Sequence, residues 1–142
     1  MHLALLPPCN FQTDTSALAA VGIVLFAHGS RDPLWHLPIE AVAAMIRQRE
    51  PAAAVRCAYL ELCDPTLRNA ATELIAHGAK VVRVFPLFLG VGKHAREDLP
   101  LLVSELRAEY PDISIELMPT AGENPALIAL MADIALGQRD GP

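Results

Sequence analysis

At 142 residues the chain has room for about one domain with a real hydrophobic core. A composition that is 53% hydrophobic and 19% charged excludes an intrinsically disordered chain. A net charge of −5 argues against a general nucleic-acid binder, which carries a basic stripe, but leaves room for a basic pocket in an acidic surface.

Residues 1–20, with Pro7, Pro8 and mixed polar residues, read as a loosely ordered N-terminal extension. From Val21 onward the pattern alternates between two periods. The run VGIVLF (21–26) is short and continuously apolar, as expected of a strand buried on both faces. Ile39, Val42, Ala43 and Ile46 then repeat at helical spacing, with Glu40, Arg47 and Arg49 around them. AVRCAYL (54–60) predicts a second strand. Asp64-Pro65 predicts an N-cap followed by proline at the first helical position. The stripe of that helix is Leu67, Ala70, Ala71, Leu74 and Ile75, and Gly78 stops it.

KVVRVFPLF (80–88) is the strongest strand signal in the chain. Asp98 predicts the cap of a third helix carrying Leu99, Leu102, Val103 and Leu106 on one face. ISIELM (113–118) alternates apolar with polar residues, which predicts an edge strand with one solvated face. Asn124-Pro125 caps a last helix with the stripe Leu127, Leu130, Met131 and Ile134. Strands alternating with helices imply right-handed βαβ units. The expected fold is therefore α/β: a single small doubly wound domain over 21–137, with a four-stranded parallel sheet and helices on both faces. Residues 138–142 would form a C-terminal tail.

In such sheets ligands bind outside the carboxyl ends of the strands. The loops there run from His28 to Pro33, Glu61 to Pro65, Leu89 to Pro100 and Pro119 to Pro125. Three of them supply a metal-competent or proton-competent side chain: His28, Glu61 and His94. Taken singly, a histidine at a strand end is more often a hydrogen-bonded turn residue, and a loop glutamate a solvated carboxylate. Together, two imidazoles and a carboxylate make a three-ligand set with open positions, whereas closed structural sites use four protein ligands. His36, at a helix start, and His77, in a helix's last turn, read as structural. Gly29, Gly90, Gly92 and Gly122 read as turn glycines, and neither GxGxxG nor GxxxxGK[ST] occurs to support nucleotide binding.

The cysteines Cys9, Cys57 and Cys63 are odd in number and lack CxxC spacing, so neither a disulfide framework nor a structural zinc site is expected. Leu3 to Leu6 is too short to span a membrane and lacks the Lys/Arg-led start of a secretory signal. A soluble cytoplasmic protein is expected, with neither membrane nor nucleic acid as partner.

FAHGSRDP (26–33), YLELCDPTL (59–67), VVRVFPLFLGVGKHAREDLP (81–100) and PTAGENP (119–125) together resemble class II chelatases of the CbiX/SirB type. These enzymes insert cobalt, iron or nickel into sirohydrochlorin. The resemblance covers roughly residues 21 to 136. With one HGS motif and one GKHAREDLP motif, the chain is similar to the short form of the family, in which one domain per chain assembles as a homodimer. The resemblance implies a chelatase-like fold and a sirohydrochlorin chelatase, a lyase of cobalamin or siroheme biosynthesis.

It makes His28 and His94 the metal-binding catalytic histidines, with Glu61 assisting with metal or protons. The divalent metal (Co2+, Fe2+ or Ni2+) would be a substrate, with no permanently bound cofactor. Because sirohydrochlorin is rich in carboxylates, Ser30, Arg31, Lys93 and Arg96 are expected to bind it. Leu34, Leu89 and Val91 are expected against the flat face of the macrocycle. Imidazole and carboxylate accept all three metals, so the residues do not choose among them. The rival readings are a non-catalytic metal or tetrapyrrole carrier and a histidine-phosphatase-like enzyme. The latter's Arg-His-Gly signature is missing, because Ala27 precedes His28.

Overall fold

The computed structural model describes residues 20–138, so nearly all of the expected N-terminal extension and the end of the expected tail lie outside the described residues. Strands β1 (Val21–Ala27), β2 (Ala54–Tyr59), β3 (Val81–Pro86) and β4 (Ser114–Leu117) form one parallel sheet in the order β2-β1-β3-β4. The helices are α1 (Leu37–Arg49), α2 (Leu67–Ala76), α3 (Lys93–Glu109) and α4 (Pro125–Ala135). Short 3-10 turns at Pro33–His36 and Ala121–Glu123 precede α1 and α4.

The two-residue period of a strand sorts the core into two layers. Val24, Phe26, Ala58, Val82 and Val84 point to the side covered by Leu67, Ala70, Ala71 and Leu74 of α2 and by Ala95, Leu99, Val103 and Leu106 of α3. Leu25, Ala27, Val55 and Tyr59 point to the other side, where Ile39 and Ala43 of α1 meet them. The four-stranded parallel sheet with helices on both faces is thus as expected from the βα rhythm. At the sheet edge, Ile115 of β4 is buried between exposed Ser114 and Glu116, which is the alternation ISIELM predicts. Gly78, at φ +102°, ends α2 as expected, and Asn124 caps α4 by accepting the Ala126 amide at 2.9 Å.

Three expectations need correction. Thr66, not Asp64, caps α2: its hydroxyl accepts the Asn69 amide at 3.2 Å. Pro65 lies before the helix, and its carbonyl takes the Tyr59 amide at 2.9 Å instead. Next, α3 starts at Lys93 and not after an Asp98 cap. The stretch Lys93 to Glu97 consists of good helix formers, and the Arg96 amide closes the first turn on the Gly92 carbonyl at 3.0 Å. Pro100 lies inside α3. Finally, no residue of α4 is buried, and of its stripe only Leu127 and Leu130 are half-buried. Among the described residues the sheet ends at the four-residue β4, with no further strand for α4 to cover. Leu127 and Leu130 instead line an apolar cleft of about 380 Å³ with Val42, Phe85 and Leu87, while Met131 and Ile134 stay exposed.

Among the described residues no helix is long and apolar enough to cross a membrane.

Leu74 is 1% exposed and its side chain lies 3.0–3.3 Å from where a Cβ on Gly22 of β1 would stand. Leu74→Ala is expected to lower unfolding free energy by about 2–5 kcal/mol, read from urea denaturation. A loss below about 1 kcal/mol would contradict this packing.

Candidate metal-handling site

Parallel pairing of β1 with β2 continues past the ends of both strands. The Leu60 amide donates to the Ala27 carbonyl at 2.9 Å, and the Glu61 amide to the His28 carbonyl at 3.0 Å. Between them, Gly29 has φ +99°, and a Cβ there would stand 1.9 Å from the Glu61 carbonyl oxygen. Only glycine satisfies both the left-handed backbone and the contact. On the other flank of β1, the Leu87 amide donates to the Phe26 carbonyl at 2.7 Å. The next residue, buried Phe88, carries the His28 ring on its own at a centroid distance of 4.3 Å and a tilt of 33°. The Gly122 amide in turn donates to the Phe88 carbonyl at 2.8 Å, so all four strand-end loops are joined through backbone.

These loops enclose a pocket of about 460 Å³ lined by His28, Leu60, Glu61, Gly92, Lys93, His94, Ala95 and Asp98. The three residues expected to handle metal therefore share one cavity, contributed by the ends of β1 and β2 and by the first turn of α3. Their side chains are exposed. They do not form a pre-assembled cage: among the described residues no group of three His, Cys, Asp or Glu side chains is already placed to hold an ion. The side chains are thus exposed, while the backbone that carries His28 and Glu61 is hydrogen-bonded across the strand ends.

Asp98 is the lining residue that sequence reasoning missed as a site group. It lies one helical turn beyond His94, and (i, i+4) residues share a face. That relation is visible only once α3 is known to begin at Lys93. Lys93 brings a cation to the pocket wall, and the amino end of α3 adds the positive end of its dipole.

The remaining candidates are dispersed. Arg96 lines a neighbouring cleft of about 420 Å³ with Leu89, Val91, Leu99, Leu117 and Met118. Leu89 and Val91 thus face this cleft and not the histidines, and Leu34 is 71% exposed outside both. Ser30 and Arg31 line neither cavity; the Ser30 hydroxyl accepts the Asp32 amide at 3.0 Å, and Arg31 is exposed. Among the described residues, none of Arg31, Lys93 and Arg96 is in an ion pair.

His77 caps α2 and donates from Nδ1 to the Glu73 carbonyl at 2.8 Å, which agrees with its structural reading. His36 packs edge-on against Tyr59 at 4.8 Å. Burial, with smaller contributions from Cys57, Glu40 and Cys63, pushes the Tyr59 phenol up to about 12, so it is neutral across the physiological range. Cys57 and Cys63 are free thiols, and burial above all pushes that of Cys57 up.

A family model described as CbiX matches residues 22–135. The chain belongs to the CbiX family. This CbiX chain is 31% identical over 114 residues to the chloroplastic sirohydrochlorin ferrochelatase of Arabidopsis thaliana, covering 80% of the chain and 51% of that protein. It is 32% identical over 92 residues to the sirohydrochlorin cobaltochelatase of Methanopyrus kandleri, covering 65% of the chain and 64% of that protein. The chain thus spans about half to two thirds of the length of these relatives. Among solved structures, one from Marinobacter aquaeolei VT8, described as a cobalamin (vitamin B12) biosynthesis CbiX protein, superposes with a TM-score of 0.71 at 33% identity. That match covers 83% of this chain and 96% of the other.

Gly29→Ala is expected to separate the His28 and Glu61 loops, costing at least about 1–3 kcal/mol for the left-handed backbone alone. Thermal unfolding should show the loss, and calorimetric titration with Co2+ should show weaker binding. Unchanged melting and unchanged Co2+ affinity would contradict the backbone contact.

Proposed function

We propose that the chain is a chelatase that inserts Co2+ or Fe2+, with Ni2+ also acceptable to its ligands, into sirohydrochlorin during cobalamin or siroheme biosynthesis. The observation that carries this reading is the single pocket where His28, Glu61 and His94 converge in a CbiX-family chain.

Insertion strips water from the ion and removes two protons from pyrrole nitrogens. His28 and His94 hold the incoming metal with few ligands, loosely enough for the macrocycle to take it; a closed four-ligand cage would retain it. The metal is therefore a substrate, and no resident cofactor is required. Glu61, or an imidazole not engaged with metal, accepts the pyrrole protons, since either group is a competent base within hydrogen-bond reach. Asp98 supplies a second carboxylate on the same wall. Lys93 beside the metal ligands and Arg96 one turn along α3 receive the acidic arms of the substrate, with Arg31 and Ser30, on the loop after β1, as further donors. Leu89 and Val91, in the cleft with Arg96, lie against its apolar edge.

The working unit is a homodimer. Ile128, Met131 and Ile134 of α4 and Val42 and Met45 of α1 are exposed apolar side chains, and a second copy would cover them. A cytoplasmic location suits Cys57 and Cys63 as free thiols.

Purified protein given Co2+ and sirohydrochlorin should shift the pigment's absorption faster than metal alone, with many products per site; release of only one product per site would indicate a carrier. His28→Ala and His94→Ala are each expected to lose about 100-fold or more of that acceleration while retaining wild-type circular dichroism. Wild-type rates in both variants would contradict the reading.

A further inference from the structure

The loop from His28 to His36 carries two groups with separate tasks in the proposed reaction, His28 and Arg31, and the structure anchors them separately. His28 is fixed through its carbonyl, which accepts the Glu61 amide at 3.0 Å, and through its ring on Phe88. Neither anchor touches Arg31.

Around Arg31 the loop curls on itself. The Asp32 amide donates to the Ser30 hydroxyl at 3.0 Å, the Leu34 amide to the Asp32 carboxylate at 2.9 Å, and the Trp35 amide to the Asp32 carbonyl at 3.1 Å. All three bonds are local, and they tie the curl to nothing outside it. One side chain does. His36 Nε2 lies 3.0 Å from the Ser30 carbonyl oxygen. A carbonyl only accepts, so the ring proton is on Nε2 and His36 is the donor.

The His36 ring is held in turn. It stands perpendicular to Tyr59 at 4.8 Å, and Tyr59 is a 4% exposed residue at the end of β2, in register with Ala27 of β1. The ring also meets Trp35 at 5.7 Å, and α1 begins at Leu37. The Ser30 carbonyl belongs to the peptide plane that also contains the Arg31 nitrogen. Because that unit is planar and ends at the Arg31 Cα, fixing its oxygen fixes where the Arg31 Cα stands.

We infer that His36 is a positioning residue for Arg31. Through the Ser30–Arg31 peptide it aims the guanidinium at a carboxylate of the substrate, independently of the anchors that hold His28 for the metal. This inference rests on the chelatase reading, in which Arg31 meets a carboxylate-rich macrocycle.

The test separates the two substrates and the two residues. His36→Leu is expected to raise KM for sirohydrochlorin about tenfold, leaving the calorimetric affinity for Co2+ alone and kcat within about twofold of wild type. His36→Gln, whose amide nitrogen reaches to about the Nε2 position, should restore most of the loss. Arg31→Ala should raise KM similarly, and adding His36→Leu to it should raise KM no further, because the two act through one contact. Where His36→Leu fails to fold, His36→Asn, polar but too short to reach the Ser30 oxygen, carries the same comparison. A wild-type KM in the His36 variants, a fall in Co2+ affinity in place of a rise in KM, or multiplying effects in the double variant would overturn the inference while the chelatase reading stands. A wild-type protein that accelerates no insertion would overturn both.

Discussion

The hydrogen bond from the Glu61 amide to the His28 carbonyl extends the β1–β2 ladder beyond both strands, and the site depends on it. It places a carboxylate-bearing residue directly beside a histidine-bearing one, at a separation set by parallel-sheet pairing and not by loop conformation. Gly29 lets the chain turn away immediately afterward without striking the Glu61 carbonyl. Phe88, delivered by the neighbouring strand, supports the imidazole from below. The rest of the fold serves this junction: two core layers hold the strands in register, and α3 brings His94 and Asp98 to the open side.

A chelatase of the proposed kind has to attract a cation and an acidic macrocycle to adjoining places. The polar groups are arranged for both. Glu61 and Asp98 give the pocket two carboxylates, which the proposed reaction would use for metal and protons, while Lys93 and the amino end of α3 offset their charge. Arg96 lines the neighbouring cleft and Arg31 is exposed on the loop after β1, both free in the proposed reading to meet acidic arms of a flat substrate. This distribution reconciles a net charge of −5 with an anionic substrate, because only the local field at the cleft matters for docking. Backbone anchoring combined with exposed ligands also suits an ion in transit.

Much of this was legible in the chain itself. A continuous apolar run marked β1, a strongly strand-forming run marked β3, alternation marked β4 as an edge, and the strand-end rule together with ligand chemistry singled out His28, Glu61 and His94. What was not legible depended on tertiary partners. Asp98, just ahead of the apolar stripe that starts at Leu99, looked like a helix cap, and its one-turn relation to His94 was thereby hidden. Asp64-Pro65 carried a stronger capping pattern than Thr66, but the Pro65 carbonyl was needed by the end of β2. The stripe of α4 announced a core-facing helix and said nothing of the absent fifth strand. His36 read as an ordinary residue at a helix start. Its role lies in a bond to a carbonyl six residues earlier and a ring contact with the end of another strand.

The central claim is that His28 and His94 hold the same ion. X-ray absorption spectroscopy of the protein loaded with one equivalent of Co2+ tests it most directly. The account predicts imidazole scattering from two histidines in the first coordination shell, reduced to one in His28→Ala and in His94→Ala. A first shell of oxygen alone, unchanged by either substitution, would contradict it.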